Sequence, residues 1–324
     1  MPAPAALVMH PDCGLHDTGW GHPEHQGRLP AIVSALHREM PELIHVVRQV
    51  EAAPATVEDL LRVHTPEHVE RIRAVVARAD ATGKVVPIDS DTTVSAASWD
   101  AALAAAGCAI TGVRLVVDGE TSTAFAAARP PGHHATPDRA MGFCLFNNVA
   151  IAARWAQAER GVERVLIVDW DVHHGNGTQD AFYDDPSVYF LSVHLSPHYP
   201  GTGRRDERGA GAGVGTTLNV ELPAGTAGPA YRAAFDDALD RVLADFTPEL
   251  VLVSAGFDGL AGDPLGGLEL EPDDFHALTR TIVERAAAAA DGRVVAVLEG
   301  GYAPPRVGQA VVQVVRALAG LPPR

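Results

Sequence analysis

Residues 164–177 read RVLIVDWDVHHGNG. Four apolar β-formers in a row run into an acidic residue, and histidine-rich polar sequence follows at once. An apolar run without alternation suits a strand buried on both faces, as in a parallel sheet covered by helices. Similar runs recur on either side. The strand candidates are Ala6–Met9, Ile44–Val50, Thr121–Ala126, Arg164–Asp169, Val188–His194, Thr217–Glu221, Glu249–Ala255 and Val294–Glu299. Between them lie stripes of helical period: Leu29, Ile32, Val33 and Leu36; Val69, Ile72, Val75 and Val76; Tyr231, Phe235, Ala238, Leu239 and Val242; Phe275, Leu278 and Ile282. The alanine-rich stretches 101–106 and 286–290 read as tightly packed helices. This alternation predicts one α/β unit with a mainly parallel sheet and helices on both faces. The longest irregular stretch, Ser196–Gly215, is expected to be a functional loop. Its Gly211-Ala-Gly213-Val-Gly215 run has the wrong spacing for a dinucleotide fingerprint and precedes a strand.

Composition narrows the partners. Apolar residues are 47% of the 324 and charged residues 20%, enough for a large core and against disorder. A net charge of −16 repels polyphosphate, so nucleic acid is not an expected partner. Cys13, Cys108 and Cys144 fit neither a disulfide framework nor a paired-cysteine metal clamp. Met1–His10 lacks a basic leader-like start, and no apolar run approaches 18 residues. A cytoplasmic protein without a membrane partner is expected.

Open parallel sheets bind ligands beyond the carboxyl ends of their strands. Four predicted ends carry the unusual residues: Arg129-Pro-Pro-Gly-His133-His134, Asp169-Trp-Asp171-Val-His173-His174-Gly-Asn176, Ser254-Ala-Gly-Phe-Asp258 and Glu299-Gly-Gly-Tyr302. A lone histidine is more often structural, and a single aspartate at a strand end is often a cap. In an extended segment, however, Asp169, Asp171 and His173 share one side. Carboxylates so close need a cation between them. Asp171 and His173 suit a zinc-like ion with an open position, and Asp258 is the best third ligand. An ion with two carboxylate ligands is only mildly Lewis-acidic and needs help. His133 and His134 offer a general base and a second imidazole, and Tyr302 offers a hydroxyl to a developing oxyanion.

Together these four motifs resemble the zinc-dependent histone deacetylase family, including its bacterial deacetylase-like amidohydrolases and acetylpolyamine amidohydrolases. The resemblance runs from His22-Pro-Glu24 and Arg28 through Tyr302. Asp-Trp-Asp and Gly-Asn-Gly-Thr-Gln179 resemble the class II branch. It implies a single catalytic domain over residues 1–324 with the three-layer αβα arginase–deacetylase fold and an eight-stranded, mainly parallel sheet. It implies zinc on Asp171, His173 and Asp258, with ferrous iron or cobalt as substitutes. His134 would be the base toward the attacking water, His133 its electrostatic partner oriented by Asp169, and Tyr302 the donor to the amide oxygen. Asn176 stands where class I carries an aspartate, and should leave His134 more available as a free base. One structural potassium would use Asp169, Asp171 and His173 with Ser192 and Val193, and a second would lie near Phe182, Asp185 and Val188. Phe143 and Tyr199 would wall an acyl-lysine tunnel. Gly142 would accept the substrate amide N–H, Asp91 would grip its backbone at the rim, and Arg28 would serve an inner acetate channel. A homo-oligomer is left open.

The expected reaction is hydrolysis of acetyl, or another short acyl group, from a lysine-like amine. Acetylpolyamine hydrolysis is the nearest alternative; neutral Leu265, where such enzymes place an acid, favours acyl-lysine. An arginase-like two-metal ureohydrolase would need an acid at Leu260. A silent metal-binding scaffold would not need His133, His134 and Tyr302 all intact.

Overall fold

The computed structural model describes residues 5–324, so the start of the expected 1–324 domain lies outside the described residues. The chain opens with β1 (Ala5–Met9), α1 (Arg28–Leu43) and β2 (Val47–Glu51). There follow α2 (Val57–Leu60), α3 (Pro66–Thr82), a small antiparallel pair β3 (Val86–Pro87) and β4 (Thr93–Val94), α4 (Ser98–Val117) and β5 (Thr123–Ala126). Next come α5 (Asn148–Arg160), β6 (Val165–Asp169), α6 (Asn176–Phe182), β7 (Val188–Leu195) and β8 (Thr217–Leu222). The chain closes with α7 (Gly228–Asp245), β9 (Leu250–Ala255), α8 (Pro272–Ala289), β10 (Val294–Leu298) and α9 (Pro304–Leu318).

Eight strands form one sheet in the order β2-β1-β5-β10-β9-β6-β7-β8, and every neighbouring pair is parallel. Strand residues alternate between two cores. Leu166 and Val168 join a cluster with Ile32, Tyr231, Phe235, Phe275 and Val311, from α1, α7, α8 and α9. Val165 and Ile167 join Ala105, Cys108 and Val149, from α4 and α5. These are the three expected layers. The last strands, β9 and β10, insert between β5 and β6, so the four central strands deliver their carboxyl ends side by side.

Two expectations needed correction. The strand expected at Ile44–Val50 begins only at Val47, because Ile44 still belongs to the helix end: its N–H bonds to the Met40 carbonyl at 3.0 Å. Helices α2, α5, α6 and α9 carried no expected stripe. In α6 the histidine-rich motif itself turns helical from Asn176, and α9 finds its apolar partners on α8, the helix before it, and on α1, far away in sequence. Ser196–Gly215 is irregular as expected, apart from one 3₁₀ turn at Gly211–Gly213.

Helix α4 is long and apolar enough to cross a membrane by composition, but 72% of that window is buried inside the protein. Its Gly107 lies against the chain at residues 53–55: a Cβ there would overlap the Ala53 carbonyl oxygen and sit 2.8 Å from the Ala55 nitrogen. Gly107→Ala should therefore lower stability in denaturant melts, because overpacking at about 1–3 kcal/mol outweighs the roughly 1 kcal/mol gain in helix propensity. A stabilised variant would show that α4 can move off this segment.

Candidate active site

Each central strand contributes at its carboxyl end. β6 ends in Asp169, from which the chain continues through Asp171 and His173, and β9 leads to Asp258. β5 leads to His133 and His134, and β10 to Tyr302. Ligand atoms of Asp171, His173 and Asp258 lie within 4.8 Å of one another, all three residues buried. Main-chain donors hold the carboxylates. Asp171 accepts the N–H of His173 and of Gly300, each at 2.9 Å, and Asp258 Oδ1 accepts that of Val172 at 2.9 Å. Asp258 Oδ2 is buried with no hydrogen-bond partner among the described residues, 3.2 Å from His173 Nδ1. An orphaned carboxylate oxygen converging with a second carboxylate and an imidazole nitrogen fits a divalent cation. Burial works against a charged His173 ring, yet Asp258 and Asp171 hold its pKa at about 10. A cation there would replace the proton.

The two tandem histidines differ sharply. Their ring centroids are 4.0 Å apart. His133 Nδ1–H donates to Asp169 Oδ2 at 3.0 Å. Burial opposes its charge, but Asp169 and Asp171 raise its pKa to about 10. His134 is pushed well below the usual histidine range, first by burial and then by the charges of His133 and His173. Its Nδ1–H donates to Asn176 Oδ1 at 2.8 Å, while the Asn176 amide N–H reaches the His134 carbonyl at 3.4 Å. The amide orientation thus fixes the tautomer and leaves Nε2 of His134 as an acceptor. Glu299, fully buried, accepts the N–H of Gly132 at 2.6 Å and of His133 at 3.1 Å, holding the histidine loop to the end of β10.

A cavity of about 210 Å³ opens onto these groups. Asp91, Gly142, Phe143, Tyr199 and Leu265 line it, together with His134, His173 and Tyr302. Burial, then the charge of Asp258, keeps the Tyr302 phenol well above its usual range, so it stays protonated and able to donate. His198 was not expected here. Its ring stacks on His173 at 4.8 Å, and its Nε2–H donates to the Leu265 carbonyl at 2.9 Å. A lone histidine inside an irregular loop carries no spacing signal that could have found it.

Arg28 does not line the cavity. It is fully buried behind Tyr302, its guanidinium carbon 5.1 Å from the ring centroid. Its donors go to the Gly301 carbonyl at 2.7 Å, the Glu299 carbonyl at 2.5 Å and Glu24 at 2.9 Å. Glu24 also takes two bonds from Arg129, at 2.7 and 3.0 Å, so one buried carboxylate sits between two buried guanidinia. In the sequence Glu24 stood only as one end of the resemblance.

The residues expected to hold potassium fall in two places. Ser192 lies beside Asp169 in the β6–β7 register, its hydroxyl 2.9 Å from His194 Nδ1, and the Val193 carbonyl accepts the Tyr231 hydroxyl at 2.9 Å. Phe182, Asp185 and Val188 lie where α6 passes into β7. There Arg154 already places a cation, 2.6 Å from Asp185 and 4.6 Å from the Phe182 ring centroid. Leu260 is fully buried in the core, away from any ligand role.

Residues 22–318 match the family model described as histone deacetylase domain. Over 93% of its length the chain is 42% identical to the chloroplastic histone deacetylase 10 of Oryza sativa subsp. japonica, covering 70% of that protein. It is 41% identical over 83% of its length to the histone deacetylase-like amidohydrolase of Pseudomonas aeruginosa, again covering 70% of the relative. Among solved structures, the crystal structure of the HDA15 HD domain superposes with a TM-score of 0.90 at 34% identity, covering 99% of this chain and 91% of that one.

Glycine is what lets the carboxylates meet. A Cβ on Gly300 would overlap Asp258 Oδ2 and lie 2.7 Å from Asp171 Oδ2. Gly300→Ala should weaken binding of a divalent transition-metal ion to the metal-free protein by about 10–100-fold in calorimetry, the range for disturbing the groups around metal ligands. Unchanged affinity would mean that the ion binds elsewhere.

Proposed function

Because this chain belongs to the histone deacetylase family, we propose that it is a zinc-dependent enzyme that removes acetyl, or another short acyl group, from lysine-like side chains. It is a deacetylase, a hydrolase of amide C–N bonds acting on an acetylated substrate. The observation that carries the finer reading is the meeting of the three-ligand cluster, a neutral His134 and the Tyr302 phenol around one narrow cavity.

Asp171, His173 and Asp258 would hold the zinc, which when bound supplies Lewis acidity toward the acyl carbonyl and toward water. The chain's own groups do the rest. His134, neutral and with Nε2 free, takes the proton of the attacking water and passes it to the leaving amine. His133, protonated against Asp169, keeps positive charge beside the developing negative charge. Tyr302 donates its hydroxyl to the oxyanion. Gly142 accepts the substrate amide N–H, Phe143 and Tyr199 flank the aliphatic chain, and Asp91 receives the substrate backbone at the rim. Arg28 supports the tyrosine from behind. We read the group around Asp169, Ser192 and Val193 as a potassium site, and any second potassium as bound by carbonyls near Phe182, Asp185 and Val188 beside Arg154.

Neutral Leu265 at the cavity supports acyl-lysine over polyamine. The net charge of −16 supports a cationic substrate and no nucleic-acid partner. Three free, buried cysteines suit a reducing compartment, which we take to be the cytoplasm.

Acetate release from an acetyl-lysine peptide, compared with acetylated spermidine, tests this reading. The peptide should be the better substrate, a strong chelator should abolish turnover, and zinc should restore it. Tyr302→Phe should fold normally and lose about 10²–10³ in kcat, as for other oxyanion donors. Turnover in verified metal-free protein would overturn the assignment, and preference for the polyamine would overturn the substrate choice.

The pH profile tests the base. Protonating His134 removes it, so activity falls as pH drops through its pKa. Asn176→Asp puts a carboxylate on the Nδ1 side, stabilises the imidazolium and raises that pKa. The acid limb of kcat/KM should move up by about one unit. An unmoved limb would show that another group sets it.

A further inference from the structure

The loop after β9 folds back so that Asp263 reaches two main-chain donors at once. Its Oδ2 accepts the N–H of Tyr302 at 2.6 Å, and its Oδ1 accepts the N–H of Leu265 at 3.0 Å. The loop that presents this carboxylate is itself fixed. Asp263 N–H donates to the Leu260 carbonyl at 3.1 Å, and Gly266 N–H donates to the Asp263 carbonyl at 3.3 Å. Gly266 must be glycine, because a Cβ there would overlap the Asp258 carbonyl oxygen and press on Asp263 Cβ at 3.2 Å.

The Tyr302 N–H and the Gly301 carbonyl belong to one peptide unit. Arg28 donates to that carbonyl at 2.7 Å, so the unit is gripped at both ends by side chains, the Arg28 guanidinium at the oxygen and the Asp263 carboxyl at the nitrogen. Gly301 has φ of +118°, which glycine can adopt, and glycine brings little steric preference of its own to the turn. The grip therefore supplies the orientation. The direction in which Tyr302 leaves the backbone decides where its hydroxyl lies, and a displacement of about 1 Å in such a group can cost roughly 10²-fold in rate.

We propose that Asp263 is a positioning residue that aims Tyr302 and ties it to the Leu265 gate, so that the oxyanion donor and the neutral wall of the cavity are set as one unit. The inference rests on the deacylase reading above. Asp263 belongs neither to the three-ligand cluster nor to the cavity lining; it acts through the two backbone N–H groups. Asp263→Asn keeps the shape but turns one acceptor oxygen into a donor, which must then face an N–H.

Steady-state kinetics of the zinc-loaded enzyme on an acetyl-lysine peptide, with Tm and metal content measured for each variant, tests this. Asp263→Asn should lower kcat by roughly 10–100-fold while KM changes by less than about threefold. Added to Tyr302→Phe, it should lower kcat by no more than about twofold further, because the group it aims is already gone. If Asp263→Asn fails to fold, Asp263→Glu, which keeps both acceptors but displaces them by one methylene, should show the same dependence on Tyr302. Wild-type kcat in the single variant, or an undiminished loss in the Tyr302→Phe background, would overturn the proposal alone. A wild type that hydrolyses neither acetyl-lysine nor acetylated amines would overturn the deacylase reading and this proposal with it.

Discussion

Two carboxylates, Asp171 and Asp258, meet in a buried site at the edge of the sheet, and much of the structure manages their repulsion. Burying one charge without partners is costly, and burying two of the same sign is worse. The sheet places them there because β6 and β9 are neighbours in parallel register, with Asp169 opposite Ser254. Three main-chain N–H groups donate to them, and glycines at 256 and 300 leave room that any side chain would fill. What remains is one Asp258 oxygen unpartnered among the described residues. The fold thus carries stored electrostatic demand at one point, and a cation answers it.

Around this centre the charges alternate with distance. His133 carries a proton between Asp169 and Asp171, while Arg28 and Arg129 enclose Glu24 behind the tyrosine. A buried ion group of this kind is weak evidence for stability, since desolvation offsets much of the attraction. Its use here is geometric. Glu24 joins the chain before α1 to the loop after β5, and Arg28 carries the connection on to the turn after β10. The same logic separates the two histidines. Rings 4.0 Å apart do not both charge readily, and the partner on each Nδ1 decides which one does. A carboxylate takes His133, and a neutral amide takes His134.

The strand-end chemistry was legible because it obeys local rules. An apolar run ending in Asp169, the two-residue spacing to Asp171 and His173, and the Gly-Gly turn before Tyr302 each state their geometry within a few residues. In the large sheet, every strand except β2 begins and ends within two residues of where its run predicts. What was not legible is non-local. Glu24 acquires its meaning from Arg129, 105 positions away, and His198 from Leu265, 67 positions away. Arg28 is held behind Tyr302 by Glu24, four residues before it, and by the Gly301 and Glu299 carbonyls, more than 270 positions away, which the sequence does not place beside it. Helix α9 does carry a local stripe, Val307, Val311, Val314 and Leu318, that is easily passed over beside the Gly-Gly-Tyr motif, and α1 and α8 cover it.

The division between strands and loops has a consequence for substrate choice. The chemistry sits on strand ends, where backbone pairing fixes it. The cavity walls come from loops: the one carrying Asp91, the turn at Gly142 and Phe143, Ser196–Gly215, and the return after β9. Polar contacts, many of them to main-chain atoms, brace them. His22, from the chain before α1, donates to the Asp91 carbonyl at 3.0 Å and packs its ring against Phe143 at 4.8 Å, and His198 donates to the Leu265 carbonyl at 2.9 Å. Contacts made to main-chain oxygens do not depend on the side chain at the receiving position. Residue 265 can therefore change its side chain, and with it the charge and width offered to an incoming acyl amine, while the wall keeps its place; the Asp91 carboxylate, by contrast, takes the Thr92 hydroxyl at 2.8 Å, which in turn accepts the Phe143 N–H at 3.1 Å. The tyrosine is the exception, because its peptide is gripped by the same loop that carries Leu265. At that one carboxylate the wall and the oxyanion donor share a single backbone support, whereas Phe143 and Tyr199 meet the catalytic groups only through their rings, 5.7 Å from Tyr302 and 5.1 Å from His134.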